Sequence, residues 1–152
     1  MAQVKAVPDG YHTVTPFLNV KGAAEAIDFY KKAFGVEEKF RMPDPDGNVS
    51  HAELTLGDSV IMISDAIMNS PTQSSVHLYV PDAEALWKRA TAAGAQVMMP
   101  IADMFWGDRY GVVTDRWGNR WGIAQHIEDV PPAEMEKRTA EAMKAMKERK
   151  TS

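Results

Sequence analysis

The chain repeats itself, and the repeat constrains the fold more than any other feature. Val20 aligns with Val80, Ala24-Glu25-Ala26 with Ala83-Glu84-Ala85, Gly35 with Gly94 and Gly57 with Gly118, at offsets that drift only between 59 and 61 residues. A duplication of that period means that each copy is one supersecondary unit, stabilised by burying its apolar face against a neighbour.

Hydrophobic periodicity supplies the elements of the first copy, residues 12–67. The run from His12 to Val20 has the β-branched and aromatic content of a strand, with Pro16 at an edge or bulge. Ala23, Ala26, Ile27, Tyr30, Ala33 and Phe34 recur at helical spacing and Gly35 supplies the stop. Strands are predicted at Val36–Met42, Val49–Leu56 and Ser59–Ser64, and the middle one alternates Ala52, Leu54 and Leu56 against His51, Glu53 and Thr55. After a connector, the second copy, residues 74–127, repeats the order. It has a strand at Val76–Val80, a helix capped by Asp82 and ending near Gly94, and strands at Val97–Ile101, Tyr110–Thr114 and Arg120–Gln125. A third segment, 133–150, carries Met135, Ala142, Met143 and Met146 on one stripe with Thr139 and is predicted to be a helix docked on the body or on a second subunit, the alternative being a ligand lid. The expected architecture is α+β: two tandem βαβββ modules forming a cavity-bearing curved mixed sheet, with a C-terminal helix.

Composition narrows the function classes. A formal charge of -4 and a pI near 5.5 provide no general basic surface for nucleic acid. No run approaches the ~20 apolar residues that span a bilayer, and no N-terminal stretch has the pattern of a signal peptide, so a cytoplasmic protein without membrane partners is expected. The absence of cysteine removes disulfides, thiolate nucleophiles and thiolate metal sites.

The stretch Phe105–His126 concentrates chemistry: Trp106, Trp117 and Trp121, Arg109, Arg116 and Arg120, Asp108 and Asp115, and His126. Trp106 can stack on a planar ligand and Arg109 can clamp a carboxylate or phosphate; the structural alternative is an Asp108–Arg109 pair fixing the hairpin while Trp106 fills the core. Trp121 is expected to pack inward, Trp117 to be exposed in the Asp115–Asn119 turn or at a dimer contact, and His126 to line the opening or to hold the tail. The glycines here precede no strand-to-helix turn, so a nucleotide fingerprint is not indicated, and no doubly wound pattern supports methyl transfer.

The AIDFYKKAFG helix, the HAELTLGDSVIMISD hairpin and the WGDRYGVVTDRWGNRWGIAQHIEDVPPAEM tail, set within paired βαβββ modules, resemble the vicinal oxygen chelate superfamily, the glyoxalase, bleomycin-resistance and extradiol-dioxygenase group, with its PhnB-like branch nearest. The resemblance implies a homodimer and, in metal-using members, one His, Glu or Gln ligand from each of four strands. Aligned through the first helix, those positions are Thr15, Ile61 or Met62, Ser75 and Gly122, none of which carries an imidazole or carboxylate. No metal or other cofactor is therefore expected. Alternation turns His77 and Tyr79 the same way as Ser75, so a displaced site using His51, Glu53 and His77 is the remaining catalytic candidate. The leading expectation is a metal-independent protein that binds a small molecule between its modules through Trp106, Arg109, His77, Tyr79 and His126. Its alternative is a lyase, isomerase or dioxygenase-like enzyme with a displaced metal or a metal-free acid/base site.

Overall fold

In the computed structural model, which describes residues 3–152, the chain runs β1 (Phe17–Val20), α1 (Ala23–Phe34), β2 (Glu37–Pro43), β3 (Val49–Leu56), β4 (Ser59–Asp65), β5 (Ser75–Tyr79), α2 (Ala83–Ala92), β6 (Gln96–Asp103), β7 (Asp108–Thr114), β8 (Arg120–His126) and α3 (Pro132–Lys150). The order is two βαβββ-like repeats and a C-terminal helix. The first strand starts five residues later than its composition suggests. It begins just after Pro16, which has no N–H to give to a ladder but whose carbonyl accepts from the Met62 amide at 2.9 Å.

Both helix starts are held by the last strand of their own repeat. Gly22, at the head of α1, has no side chain with which to cap it, and the Asp65 carboxylate at the end of β4 accepts from the Gly22 and Ala23 amides at 2.8 Å each. At α2 the Asp82 side chain caps the Ala85 amide at 3.0 Å, and Gln125, sixty residues after Asp65, accepts from the Ala83 amide at 3.1 Å. Gly35 closes α1 at φ 70°, a left-handed conformation that favours glycine.

Each repeat forms its own four-stranded mixed sheet. The orders are β1-β4-β3-β2 and β5-β8-β7-β6, with β1 parallel to β4, β5 parallel to β8 and the remaining pairs antiparallel. The expectation of one curved mixed sheet is therefore corrected: among the described residues no strand of one sheet pairs with a strand of the other. The reason lies along β1. That strand has only four residues, and the outward Asn19 carbonyl is taken by the Thr72 amide of the connector at 3.1 Å rather than by β5.

The repeats are joined through their helix-bearing faces. Leu18, Ile27, Tyr30, Leu54 and Ile63 of the first share one buried cluster with Val113, Trp121 and Ile123 of the second. The Phe34 and Trp121 rings lie 4.5 Å apart between centroids, and Arg89 of α2 donates to the Lys31 and Lys32 carbonyls at the end of α1 at 3.0 and 2.9 Å. Trp117, expected at the surface or in a dimer contact, instead lies against Phe29 and Tyr30 of α1 and donates its indole N–H to the Lys21 carbonyl at 3.0 Å.

At the centre of this junction is a buried carboxylate. Asp115, in the turn between β7 and β8, accepts from the Tyr30 hydroxyl at 2.6 Å, the Trp121 indole at 2.9 Å and the backbone amides of Trp117 and Asn119 at 2.9 and 3.0 Å. Asn119, fully buried, donates to the Tyr30 hydroxyl at 3.2 Å. Burial, the Asp115 charge and the hydrogen bond to it raise the Tyr30 pKa far above its ordinary value, so the phenol remains a donor.

Helix α3 has no fully buried residue. Met135, Arg138, Thr139 and Ala142 are half-buried while Met143 and Met146 are exposed, so the methionine stripe meets the body only near its start. Arg138 is the tether, donating to the Phe105 carbonyl at 3.2 Å and to Glu128 at 2.9 and 3.0 Å. No helix among the described residues is long and apolar enough to cross a membrane.

Replacing Asp115 by alanine strips the acceptor from three buried donors and one partly buried one. With each orphaned buried donor costing about 1–3 kcal/mol, the Asp115→Ala protein is expected to lose at least about 3 kcal/mol in urea unfolding, and Tyr30→Phe about 2 kcal/mol. A loss below ~1 kcal/mol for Asp115→Ala would show that the junction does not depend on this carboxylate.

Candidate functional site

Alternation divides each sheet into a face toward the helices and an open face. On the second sheet, Val113, Trp121 and Ile123 go inward, and the register places His77 beside Gly122, Gly122 beside Val112 and Tyr79 beside Ala124 on the open side. The His77 and Tyr110 rings stack with centroids 5.2 Å apart, and Trp106 meets Tyr110 edge-on at 5.8 Å. Gly122 makes that stack possible: a Cβ there would come within 3.0 Å of both His77 Nδ1 and Tyr110 Cε2. These residues, with Ser75, Met98, Met99, Val112 and Arg120, line a pocket of about 480 Å³, in the size range of small-molecule sites.

A cleft of similar volume lies between the repeats, lined by His12, Val14 and Pro16 and the β3–β4 turn on one side and by Val76–Pro81 on the other. His77 and Tyr79 border it, so His77 stands between the cleft and the open-face pocket.

The other sequence-derived ligand candidates are placed differently. Arg109 lies opposite Asp103 across the β6–β7 ladder and pairs with it at 2.7 and 3.2 Å, outside the described pockets. Asp108 does not pair with Arg109. Nearly buried, it accepts from Tyr79 Oη at 2.7 Å, Trp106 Nε1 at 3.0 Å and His126 Nδ1 at 2.8 Å. Burial pushes its pKa up, but the His126, Tyr79 and Trp106 hydrogen bonds prevail and hold it below the usual carboxylate value. His126 lines no described pocket. Its Nε2 contacts Asp129 at 2.8 Å, and these two carboxylates, Asp129 foremost, raise the imidazole pKa above its ordinary value. The network thus links the indole at the pocket wall to the segment that leads into α3.

The open face of the first sheet is partly covered. Tyr11 donates to Glu53, His51 Nε2 lies 3.4 Å from the same carboxylate, and the N-terminal strap from Ala6 to Thr15 closes over Glu53 and Met62 around a pocket of about 500 Å³. The hydrogen bond to Glu53 pushes the Tyr11 hydroxyl up to about 12, and the bonds from Tyr11 and His51 keep Glu53 ionised by lowering its pKa. His51 and Glu53 share no described pocket with His77.

The donor set does not suit the family's metal. Ile61 is buried on the helix side, which leaves Met62 as the open-face residue of β4; with Thr15, Ser75 and Gly122 it offers a thioether and two hydroxyls. Among the described residues no group of three or more His, Asp or Glu side chains could hold a metal ion. Arg120 escaped the sequence reading as a site residue, although its spacing of two from Gly122 on a strand signals the same face.

Residues 11–123 match the Glyoxalase/Bleomycin resistance protein/Dioxygenase superfamily. The chain belongs to this superfamily. Among curated relatives, the uncharacterized protein Rv0887c of Mycobacterium tuberculosis is 40% identical over 129 residues, covering 77% of this chain and 76% of the relative. The crystal structure of TioX from Micromonospora sp. ML1 superposes with TM-score 0.69 at 27% identity over 76% of this chain and 99% of that one. That of TnmS3, an antibiotic binding protein from Streptomyces sp. CB03234, gives 0.62 at 21% over 81% and 99%. The superfamily fold is that of a small-molecule-binding scaffold, and its members' chemistries differ by site.

His126 makes stability pH-dependent with a definite sign. Its folded-state pKa lies above the unfolded value of about 6.5, so its contribution is complete below that pH and disappears as pH rises through the raised folded value. Urea midpoints of wild type minus His126→Gln are expected to shrink as pH rises above about 6.5; a pH-independent difference would contradict the imidazolium pairing.

Proposed function

We propose that this chain is a metal-independent small-molecule-binding protein of the sequestering kind, placed in the PhnB-like branch and acting as a homodimer. Its ligand is a planar, largely apolar molecule seated on the open face of the second sheet. The observation that carries the reading is the aromatic wall over Gly122: where a metal enzyme of this superfamily needs a ligand side chain, the stacked His77 and Tyr110 rings crowd even a Cβ, at 3.0 Å from each. Rings presented edge and face around a pocket with methionines favour flat apolar surface over small polar substrates. The similarity in fold to TnmS3, which its name describes as antibiotic binding, accords with this use of the scaffold. The homodimer is supported by the large side chains left exposed: Phe17, Phe40 and Met42 on the first sheet, Tyr79 and Val97 on the second.

An acid/base enzyme working through His77, His51 or Glu53 has less support. Glu53 is committed to Tyr11 and His51, and a carboxylate with a lowered pKa is a weak general base at neutral pH.

Metal analysis of the purified protein is expected to find no bound transition metal, and near-stoichiometric zinc, nickel, manganese or iron would overturn the reading. In a fluorescence-quenching screen of polycyclic aromatic compounds, hits are expected to lose roughly tenfold in affinity in Trp106→Ala and His77→Ala. Unchanged binding in both would move the site elsewhere. Sedimentation equilibrium is expected to give twice the 16.8 kDa chain mass.

A further inference from the structure

The pocket over Gly122 contains one permanently charged side chain, and it has no counter-ion. Arg41 is spent on Glu38, Arg89 on the α1 carbonyls, Arg109 on Asp103, Arg116 on Glu25 and Arg138 on Glu128 and Glu134. The Arg120 guanidinium makes no hydrogen bond or ion pair with any described residue, although it shares the pocket with Trp106, Tyr110 and His77. No acidic residue lines that pocket, and the nearest carboxylate in sequence, Asp115, is buried and fully engaged at the junction between repeats.

Arg120 stands at the start of β8, beside Ser75 of β5 and Thr114 of β7 in the ladder. It is two residues from Gly122 on the same face, so the guanidinium borders the floor on which the rings stack. A guanidinium offers a planar fork of donors matched to a carboxylate's two oxygens, and the aromatic wall offers a parallel or edge-on surface to a ring. Ser75, which also lines the pocket, stands beside the arginine in the ladder.

We propose that the ligand class is a planar polycyclic aromatic acid whose carboxylate is held by Arg120 while its rings pack on Trp106, Tyr110 and His77. This rests on the small-molecule-binding reading and extends it from shape to charge. Arg120 is thus the specificity residue of the pocket, choosing acids over neutral isosteres of the same outline.

The test pairs two probes, anthraquinone-2-carboxylate and anthraquinone-2-carboxamide, titrated against full-length wild type, Arg120→Met and Arg120→Lys at low and moderate salt. Wild type is expected to bind the acid about tenfold more tightly than the amide, a preference that narrows as salt screens the exposed guanidinium. Arg120→Met is expected to lose the preference while keeping the amide affinity, and Arg120→Lys to recover part of it. Equal binding of acid and amide by wild type, or a preference that survives in Arg120→Met, overturns the assignment of charge to Arg120 and leaves the aromatic site standing. Failure of wild type to bind either probe, with a folded far-ultraviolet spectrum, overturns both the acid class and the planar-ligand reading beneath it.

Discussion

The Asp115 carboxylate is the point on which the two repeats depend. A buried charge is tolerable only when its lone pairs are filled, and Asp115 fills them with donors from both sides: the phenol of Tyr30 from the first repeat, and the Trp121 indole and two turn amides from the second. The same turn places Trp117 on Phe29. A hairpin loop of one module therefore supplies the polar centre of the interface to the helix of the other. Apolar contact alone would leave the relative rotation of the modules loosely specified; the directional bonds at Tyr30 and Asn119 fix it.

With the helices packed into this shared core, the opposite side of each sheet is free to become a binding surface. On the second sheet, Gly122 lets two rings meet where a larger residue would crowd them, and Asp108 accepts from the Trp106 indole. Asp108 in turn is bonded to His126 and through it to Asp129, while Arg138 grips the Phe105 carbonyl. The root of α3 is thus joined to the wall of the pocket by hydrogen bonds rather than by apolar burial. This accords with a helix whose distal methionines remain exposed.

Much of this was legible from local pattern. The apolar spacing of Ala23 to Phe34 and the Asp82 cap follow rules that act within a few residues, and both elements form as read. What was not legible depends on partners far along the chain. One curved sheet is the expectation that follows from two modules enclosing a cavity between them, but strand pairing is made by backbone groups that no side-chain pattern records, and the carbonyl of Asn19 bonds the connector at Thr72. Trp117 lies in its turn as read, but its packing is not legible, because nothing near it in sequence announces Phe29 or Lys21. Arg109 draws attention in the sequence because it stands at the entry to the seventh strand, where a loop could overhang a cavity. The ladder changes that reading, since Asp103 sits directly across from Arg109 and neutralises it.

The N-terminal strap has a consequence for how the duplicated halves divide labour. Tyr11 and its neighbours lie on the first sheet where the second sheet is bare, so one face comes with its own polypeptide cover and the other does not. Although the chain carries two copies of one unit, its two open faces are not interchangeable: the strap forms part of the pocket on the first, whereas no strap residue lines the aromatic pocket on the second.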